Sequence, residues 1–143
     1  MIIRPWMLAD VERISQIEQE SFSDPWSQKM LEDVTQARNF YGLVLENDGL
    51  VIGYVGASFV LDEGEILLVA IDGAFRGQGH GKQLVDTLLK SFKEKEIAKV
   101  FLEVRRSNFV AIACYQKCGF IKIAERARYY SDGEDAIIME ASL

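Results

Sequence analysis

The stretch Arg76-Gly77-Gln78-Gly79-His80-Gly81 sets three glycines at alternate positions between two contrasting runs. Before it comes the apolar Ile66-Leu67-Leu68-Val69-Ala70-Ile71, and after it an amphipathic segment beginning at Lys82. A buried strand that passes through such a loop into a helix leaves backbone N–H groups free to converge, with no Cβ atoms in the way. That is a cradle for phosphate. Further on, Glu103 stands between Leu102 and Val104 at a strand end. Strand alternation turns its carboxylate away from theirs, either into a cleft or simply to solvent. Tyr115 follows Asn108 along a helical segment, about two turns or ~10 Å further on. Its phenol either offers a proton to a bound group or packs half-buried.

Two common phosphate loops are excluded by spacing. A Walker loop has four residues between its first glycine and Gly-Lys-Ser/Thr. Here three residues separate Gly77 from Gly81, and Gln83 stands where the magnesium-binding hydroxyl belongs. A dinucleotide fingerprint is Gly-x-Gly-x-x-Gly in the first strand-helix unit; here the third glycine comes one residue early and follows the fourth predicted strand. His80 is the only histidine, and one histidine builds no metal site unaided, so no metal is expected. Cys114 and Cys118 fall on one helix face; they read as a redox pair or, the expectation favoured here, as small core residues.

These groups need a scaffold, and the periodicities supply one. Ile2 to Pro5 is a short strand; Leu8 to Glu20 carries Val11, Ile14 and Ile17 at helical spacing, with Asp10 as candidate cap. Phe22 to Trp26 turns into a second helix from Ser27 to about Val34. Tyr41 to Glu46 and Leu50 to Phe59 form a hairpin around Asn47-Asp48-Gly49. A turn at Asp62-Glu63-Gly64 leads to the apolar strand and the glycine loop. Leu84, Val85, Leu88, Leu89 and Phe92 then mark a helix, Lys99 to Val104 a strand, and Asn108 to Cys118 a helix closed by a left-handed Gly119. Phe120 to Arg128 and Ala136 to Glu140 are the last strands, around Asp132-Gly133. The order implies a mixed α/β sheet (α+β) with helices on its faces, in a single domain spanning residues 1–143.

Bulk properties narrow the partners. A net charge of −6 argues against generic nucleic-acid binding, which needs a basic face. Residues 1–71 hold four Lys/Arg against twelve Asp/Glu, and residues 72–143 twelve against ten. The halves suit a cationic substrate and an anionic cofactor, or are two differently decorated solvated faces. No stretch reaches the ~18 apolar residues of a membrane span, so no membrane partner is expected. The N-terminus shows no signal segment, and two cysteines are too few for a disulfide framework, so a cytoplasmic setting is expected.

The remaining loop pattern, Arg/Gln-x-x-Gly-x-Gly/Ala, is matched by Arg76, Gly79 and Gly81. It resembles the pyrophosphate loop of the GNAT superfamily of N-acetyltransferases, as does the order of elements. Downstream, Leu102-Glu103-Val104-Arg105-Arg106-Ser107-Asn108 with Ala111, Tyr115, Gly119 and Phe120 is similar to the signature of the bacterial RimI family. So are Pro25-Trp26-Ser27, Tyr129-Tyr130 and Glu134-Asp135-Ala136-Ile137-Ile138-Met139. The resemblance runs nearly end to end. Two departures stand out: the strand before the loop is all apolar at Leu67-Leu68, where family members often carry Asn, and Gly73-Ala74-Phe75 replaces a Gln/Arg-rich turn.

The resemblance implies the GNAT fold, a mixed sheet of about seven strands flanked by about four helices. It implies acetyl-CoA as co-substrate and, as acceptor, the N-terminal alanine of a small-subunit ribosomal protein, the eighteenth. Glu103 then becomes the base that takes the amine proton, directly or through a water, and Tyr115 the acid that protonates the departing thiolate. A protein α-amine, with pKa ~8, asks only for a modest base. Backbone of Val69, Ala70 and Ile71 would pair with the pantetheine arm, and a splay of the sheet there would free an N–H for the thioester carbonyl. Gly77, Gln78, Gly79, His80 and Gly81 would hold the diphosphate, flanked by Arg76 and Lys82, with Asn108 capping its helix or bonding the arm. Trp26, Tyr130 and Glu134, with Tyr129, would surround the entrance for a basic N-terminal segment of the ribosomal protein. The alternatives are a GNAT enzyme for lysine or a small amine, and a non-catalytic module that binds acyl-CoA or a ribosomal partner.

Overall fold

Strand, helix and turn propensities assemble, in a computed structural model that describes residues 1–143, into one seven-stranded sheet. The elements are β1 (Ile2–Pro5), α1 (Val11–Ser21), α2 (Gln28–Thr35), β2 (Phe40–Asn47), β3 (Leu50–Val60), β4 (Glu63–Ile71), α3 (His80–Glu94), β5 (Lys99–Arg105), α4 (Phe109–Lys117), β6 (Ile121–Arg126) and β7 (Ala136–Ser142). Short 3₁₀ turns, Leu8–Asp10 and Gly73–Phe75, lead into α1 and the glycine loop. The strand order is β1-β2-β3-β4-β5-β7-β6, antiparallel throughout except at the parallel β4–β5 pair. The mixed sheet with helices on both faces is the expected GNAT-like architecture.

Helices cover the two faces unequally. One core joins α3 and α4 to β2, β3, β5 and β7 through Leu84, Val85, Leu88, Phe92, Val104, Tyr115 and Phe120. The other joins α1 and α2 to β2, β3 and β4 through Val11, Ile14, Ile17, Leu31, Tyr54 and Leu68. That second layer stops at β4, so on β5 and β7 the same face, with Phe101, Glu103, Arg105 and Ile138, is only partly buried. Phe92 anchors the larger core: fully buried, its ring lies 5.7 Å from that of Tyr41 and 6.0 Å from that of Phe59. Phe92→Ala is expected to destabilise the fold by ~3–5 kcal/mol, since the void cannot close between two rigid aromatic neighbours. Urea unfolding checks this, as a lowered midpoint with an unchanged slope.

Three local expectations are revised. Asp10 does not cap α1; its carboxylate accepts the Met7 N–H at 2.8 Å and pairs with Arg4 at 2.8 Å. The turn expected at Asp62-Glu63-Gly64 sits earlier, with Leu61 at positive φ, and β4 already pairs from Glu63. Gly64 is needed for packing, because a Cβ there would meet the Phe92 ring at 2.6 Å. Helix α3 begins at His80 rather than Lys82.

Candidate active site

The site begins as a failure of pairing. β4 and β5 pair from Glu63↔Lys99 to Ile66↔Leu102 and then part, so Leu67–Ile71 and Glu103–Arg105 face each other across a gap. A bulge helps to open it. In the β3–β4 ladder Gly56 pairs with Leu68 and Ala57 with Ile66, which leaves Leu67 unpaired. An extra residue reverses the facing of everything after it. Ile66 accordingly packs in the α3/α4 core, whereas Leu68 and Ala70 pack under α1 and α2. The free edge of β4 carries N–H and C=O groups with no partner strand. The cleft formed there has a volume of about 540 Å³.

Glu103 and Tyr115 both line this cleft, together with Asn108, Trp26, Tyr130 and Val69. Glu103 is reached from the partly covered sheet face, where its Oε1 lies 3.6 Å from Arg126. Glu65 on β4 shares that face; burial, and then the charge of Glu103, raise its pKa. Tyr115 comes from the opposite layer, its ring 6.0 Å from that of Phe120 and only 8% exposed. Burial, and then the neighbouring Cys114 and Cys118, push its phenol well above the ordinary range, so the hydroxyl stays protonated. That hydroxyl makes no hydrogen bond within the protein. Asn108 caps α4, its Oδ1 accepting the Ala111 N–H at 3.2 Å.

The walls hold charged groups that sequence periodicity did not single out. Glu18, 1% exposed on α1, lines the cleft and accepts the Tyr54 hydroxyl at 2.6 Å and the Trp26 N–H at 3.0 Å. Burial raises its pKa, and the two donors offset part of that rise. The available signal was position: Glu18 follows Ile14 by one helical turn, a carboxylate on the buried stripe. Arg105, at the end of β5, donates to Asp132 at 2.9 Å and Glu134 at 3.1 Å. Its guanidinium carbon lies 4.1 Å from the Tyr130 ring centre. Glu134 is therefore engaged by Arg105 and by the Ser107 N–H at 2.8 Å, and it does not line the cleft itself. These contacts lower its pKa, the Ser107 hydrogen bonds most. Burial, then the Glu103 charge, push the Tyr130 phenol up to about 12.

Outside the cleft, the glycine loop turns through positive φ at Gly77 (77°) and Gly79 (83°). At neither position would a Cβ meet any atom within 4 Å, so the loop opens outward. From Gly77 to Lys82 no N–H finds a backbone acceptor, and the first helical bond runs from Gln83 to Gly79. A row of unpaired donors at the start of a 15-residue helix suits a diphosphate. The His80 Nε2 is enclosed beside it without a partner. Arg76 donates to the Ile71 carbonyl and to Ser21, both at 2.9 Å, and Lys82 pairs with Asp86 at 2.5 Å. Ala70 and Ile71 continue the free edge of β4 between cleft and loop.

The cysteines depart from expectation. Both are partly buried rather than fully buried: Cys118 packs against the larger core, and both lie by the start of α3, Cys118 Sγ 3.9 Å from the Lys82 carbonyl. The neighbouring Cys118 thiol draws the Cys114 thiol below the ordinary range. No group of three His, Cys, Asp or Glu side chains is placed to hold a metal ion, and no helix is long and apolar enough to cross a membrane.

Known proteins share this fold. Residues 11–120 match the model of the acetyltransferase (GNAT) family. The ribosomal protein bS18-alanine N-acetyltransferase of Escherichia coli is 35% identical over 133 residues, covering 91% of this chain and 89% of that protein. A crystal structure of the ribosomal-protein-S18-alanine N-acetyltransferase from Escherichia coli superposes with a TM-score of 0.93 at 33% identity, covering 99% of this chain and 92% of that one. A structure of Arabidopsis thaliana NAA60 in complex with acetyl-CoA shares the fold, with a TM-score of 0.87 at 19% identity, covering 99% and 98% of the two chains.

Proposed function

The chain belongs to the acetyltransferase (GNAT) family, and from that premise we propose that it is an acetyl-CoA-dependent Nα-acetyltransferase for the N-terminal alanine of ribosomal protein bS18. Residues 1–143 act as one acetyltransferase domain. The observation that carries this reading is the parting of β4 and β5, which gives Glu103 and Tyr115 a common cleft. The open loop at Gly77–Gly81, with its unpaired N–H groups, suits the coenzyme's diphosphate, and the free edge of β4 from Val69 to Ile71 suits its amide-bearing arm. When bound, acetyl-CoA supplies an acetyl group activated as a thioester.

The chain's own residues do the rest. Glu103 takes the proton of the acceptor ammonium, directly or through one water, and releases the nucleophilic amine. A backbone N–H near the Leu67 bulge polarises the thioester carbonyl, since the ladder leaves that segment unpaired. Tyr115 donates its proton to the thiolate. Holding both reactants in one cleft removes much of the entropic barrier to their meeting. Trp26 and Tyr130 form the walls at the acceptor end. Asp24, Asp132 and Glu134 outnumber Arg105 there, which favours a basic N-terminal segment.

The test is thiol release from acetyl-CoA with three acceptors: a peptide bearing the bS18 N-terminus, the same peptide N-blocked, and N-blocked lysine peptides. The free α-amine peptide is expected to react at least ~10²-fold faster, because an α-amine is neutral far more often than lysine at pH 7. Equal rates on N-blocked lysine peptides would assign the enzyme to lysine instead. Binding of acetyl-CoA without turnover on any amine would leave a non-catalytic module.

A further inference from the structure

We infer that Arg105 is a positioning residue that fastens the two loops of the acceptor mouth to each other, and so sets affinity for the acceptor while leaving affinity for the acetyl donor unchanged. The inference rests on the transferase reading above and adds the element that shapes its acceptor end.

The backbone of Arg105 is held in the sheet, paired with Ala136 of β7. Two residues after Glu103, its side chain leaves β5 on the same face. There the guanidinium meets both lips. From the β6–β7 loop, Asp132 Oδ2 accepts at 2.9 Å and Glu134 Oε1 at 3.1 Å, while the Tyr130 ring lies 4.1 Å beneath. From the α1–α2 loop, Asp24 stands at 3.5 Å. Asp24 is 81 residues away in sequence, so nothing local holds these loops together. With its side chain 22% exposed, Arg105 lies between solvent and the cleft that it lines together with Asp24 and Tyr130.

Only a planar fork with several donors can serve three carboxylates and stack on a ring at once. Lysine carries the same charge on three donors, but it has no planar fork to pair side-on with a carboxylate or to lie flat on the ring. Without any cation, the carboxylates of the two lips repel and the mouth opens. The Asp24 contact is the longest of the set, so that lip is the one that yields first.

Arg105→Ala, Arg105→Lys and Asp24→Asn test this by steady-state kinetics on both substrates, with hydrogen exchange on the free proteins. Arg105→Ala should raise the acceptor KM about tenfold, the scale of losing a partly exposed ion-pair network. Arg105→Lys should recover part of that loss, and Asp24→Asn should give a rise of about two- to threefold. The KM for acetyl-CoA should stay within twofold in every variant. In Arg105→Ala, amides of residues 22–27 and 127–135 should exchange faster together while those of α3 keep their protection. An acceptor KM within twofold of the parent would overturn the inference, as would equal rises for both substrates with loss of protection in α3. Should the parent protein acetylate no amine, the transferase reading falls, and joint loosening of the two loops then decides the clasp alone.

Discussion

Glu103→Gln is expected to lower kcat/KM for an α-amine acceptor by about 10²- to 10³-fold at pH 7, the range for loss of a general base. The substitution keeps shape and removes only the ability to take a proton. It also weakens the 3.6 Å pairing with Arg126, whose own side chain is 57% exposed, a contact that contributes at most about 1 kcal/mol to stability. Fold stability and acetyl-CoA affinity should therefore hold. The pH dependence carries the discriminating sign. An acceptor amine with pKa ~8 is mostly protonated at pH 7 and mostly neutral above pH 9. The base is needed below that pKa and becomes redundant above it, so the deficit of the variant should shrink as pH rises through 8. Rates equal to the parent at pH 7 would remove Glu103 from the reaction. A deficit that stays constant up to pH 10 would mean that it does something other than deprotonate the amine.

Tyr115→Phe is expected to lower kcat about 10²-fold, with both KM values nearly unchanged. Few substitutions isolate one proton so cleanly. The hydroxyl has no partner within the protein, and the ring keeps its edge-on packing against Phe120. Stability at pH 7 should stay within ~0.5 kcal/mol of the parent, because no hydrogen bond is lost. Burial holds the phenol above its ordinary value, which makes it a reluctant acid in isolation. A thiolate in the same cleft is raised by the same desolvation, so donor and acceptor remain matched. The raised phenol also predicts that the parent, relative to Tyr115→Phe, loses stability only above pH ~10, where the unfolded chain ionises and the folded one does not. Thermal unfolding of both proteins between pH 7 and 11 checks that sign, and single-turnover thiol release checks the rate.

Local signals made most of the scaffold legible. The β2–β3 turn at Asp48-Gly49, with φ of 49° and 80°, follows from residues that tolerate a left-handed backbone. Asn108 caps α4 and Gly119 ends it at φ 100°, each within one turn of the helix it delimits. Where a residue's role depended on a distant neighbour, local pattern misled. Gly64 looks like a turn and is instead a close approach to Phe92. Cys114 and Cys118 look like fully buried core on an apolar helix, yet they sit at its margin by the start of α3, only partly buried. Asp10 has the right type to cap α1 but is claimed by Arg4 across the β1 end.

The site divides along the same line. The order of residues along the chain determined that a strand, a glycine loop and a helix would present unpaired N–H groups, since all three lie within one continuous segment. It also determined that a carboxylate and a phenol would sit near the ends of neighbouring elements. Only the tertiary structure decided that β4 would part from β5 at Leu67, because a bulge is a mismatch between two strands and neither strand contains it alone. Packing likewise decided that Glu18 would be buried in a wall and that Arg105 would gather Asp24, Asp132 and Glu134. Those contacts join segments far apart in sequence, and a charge finds its counterion only after the chain between them has folded.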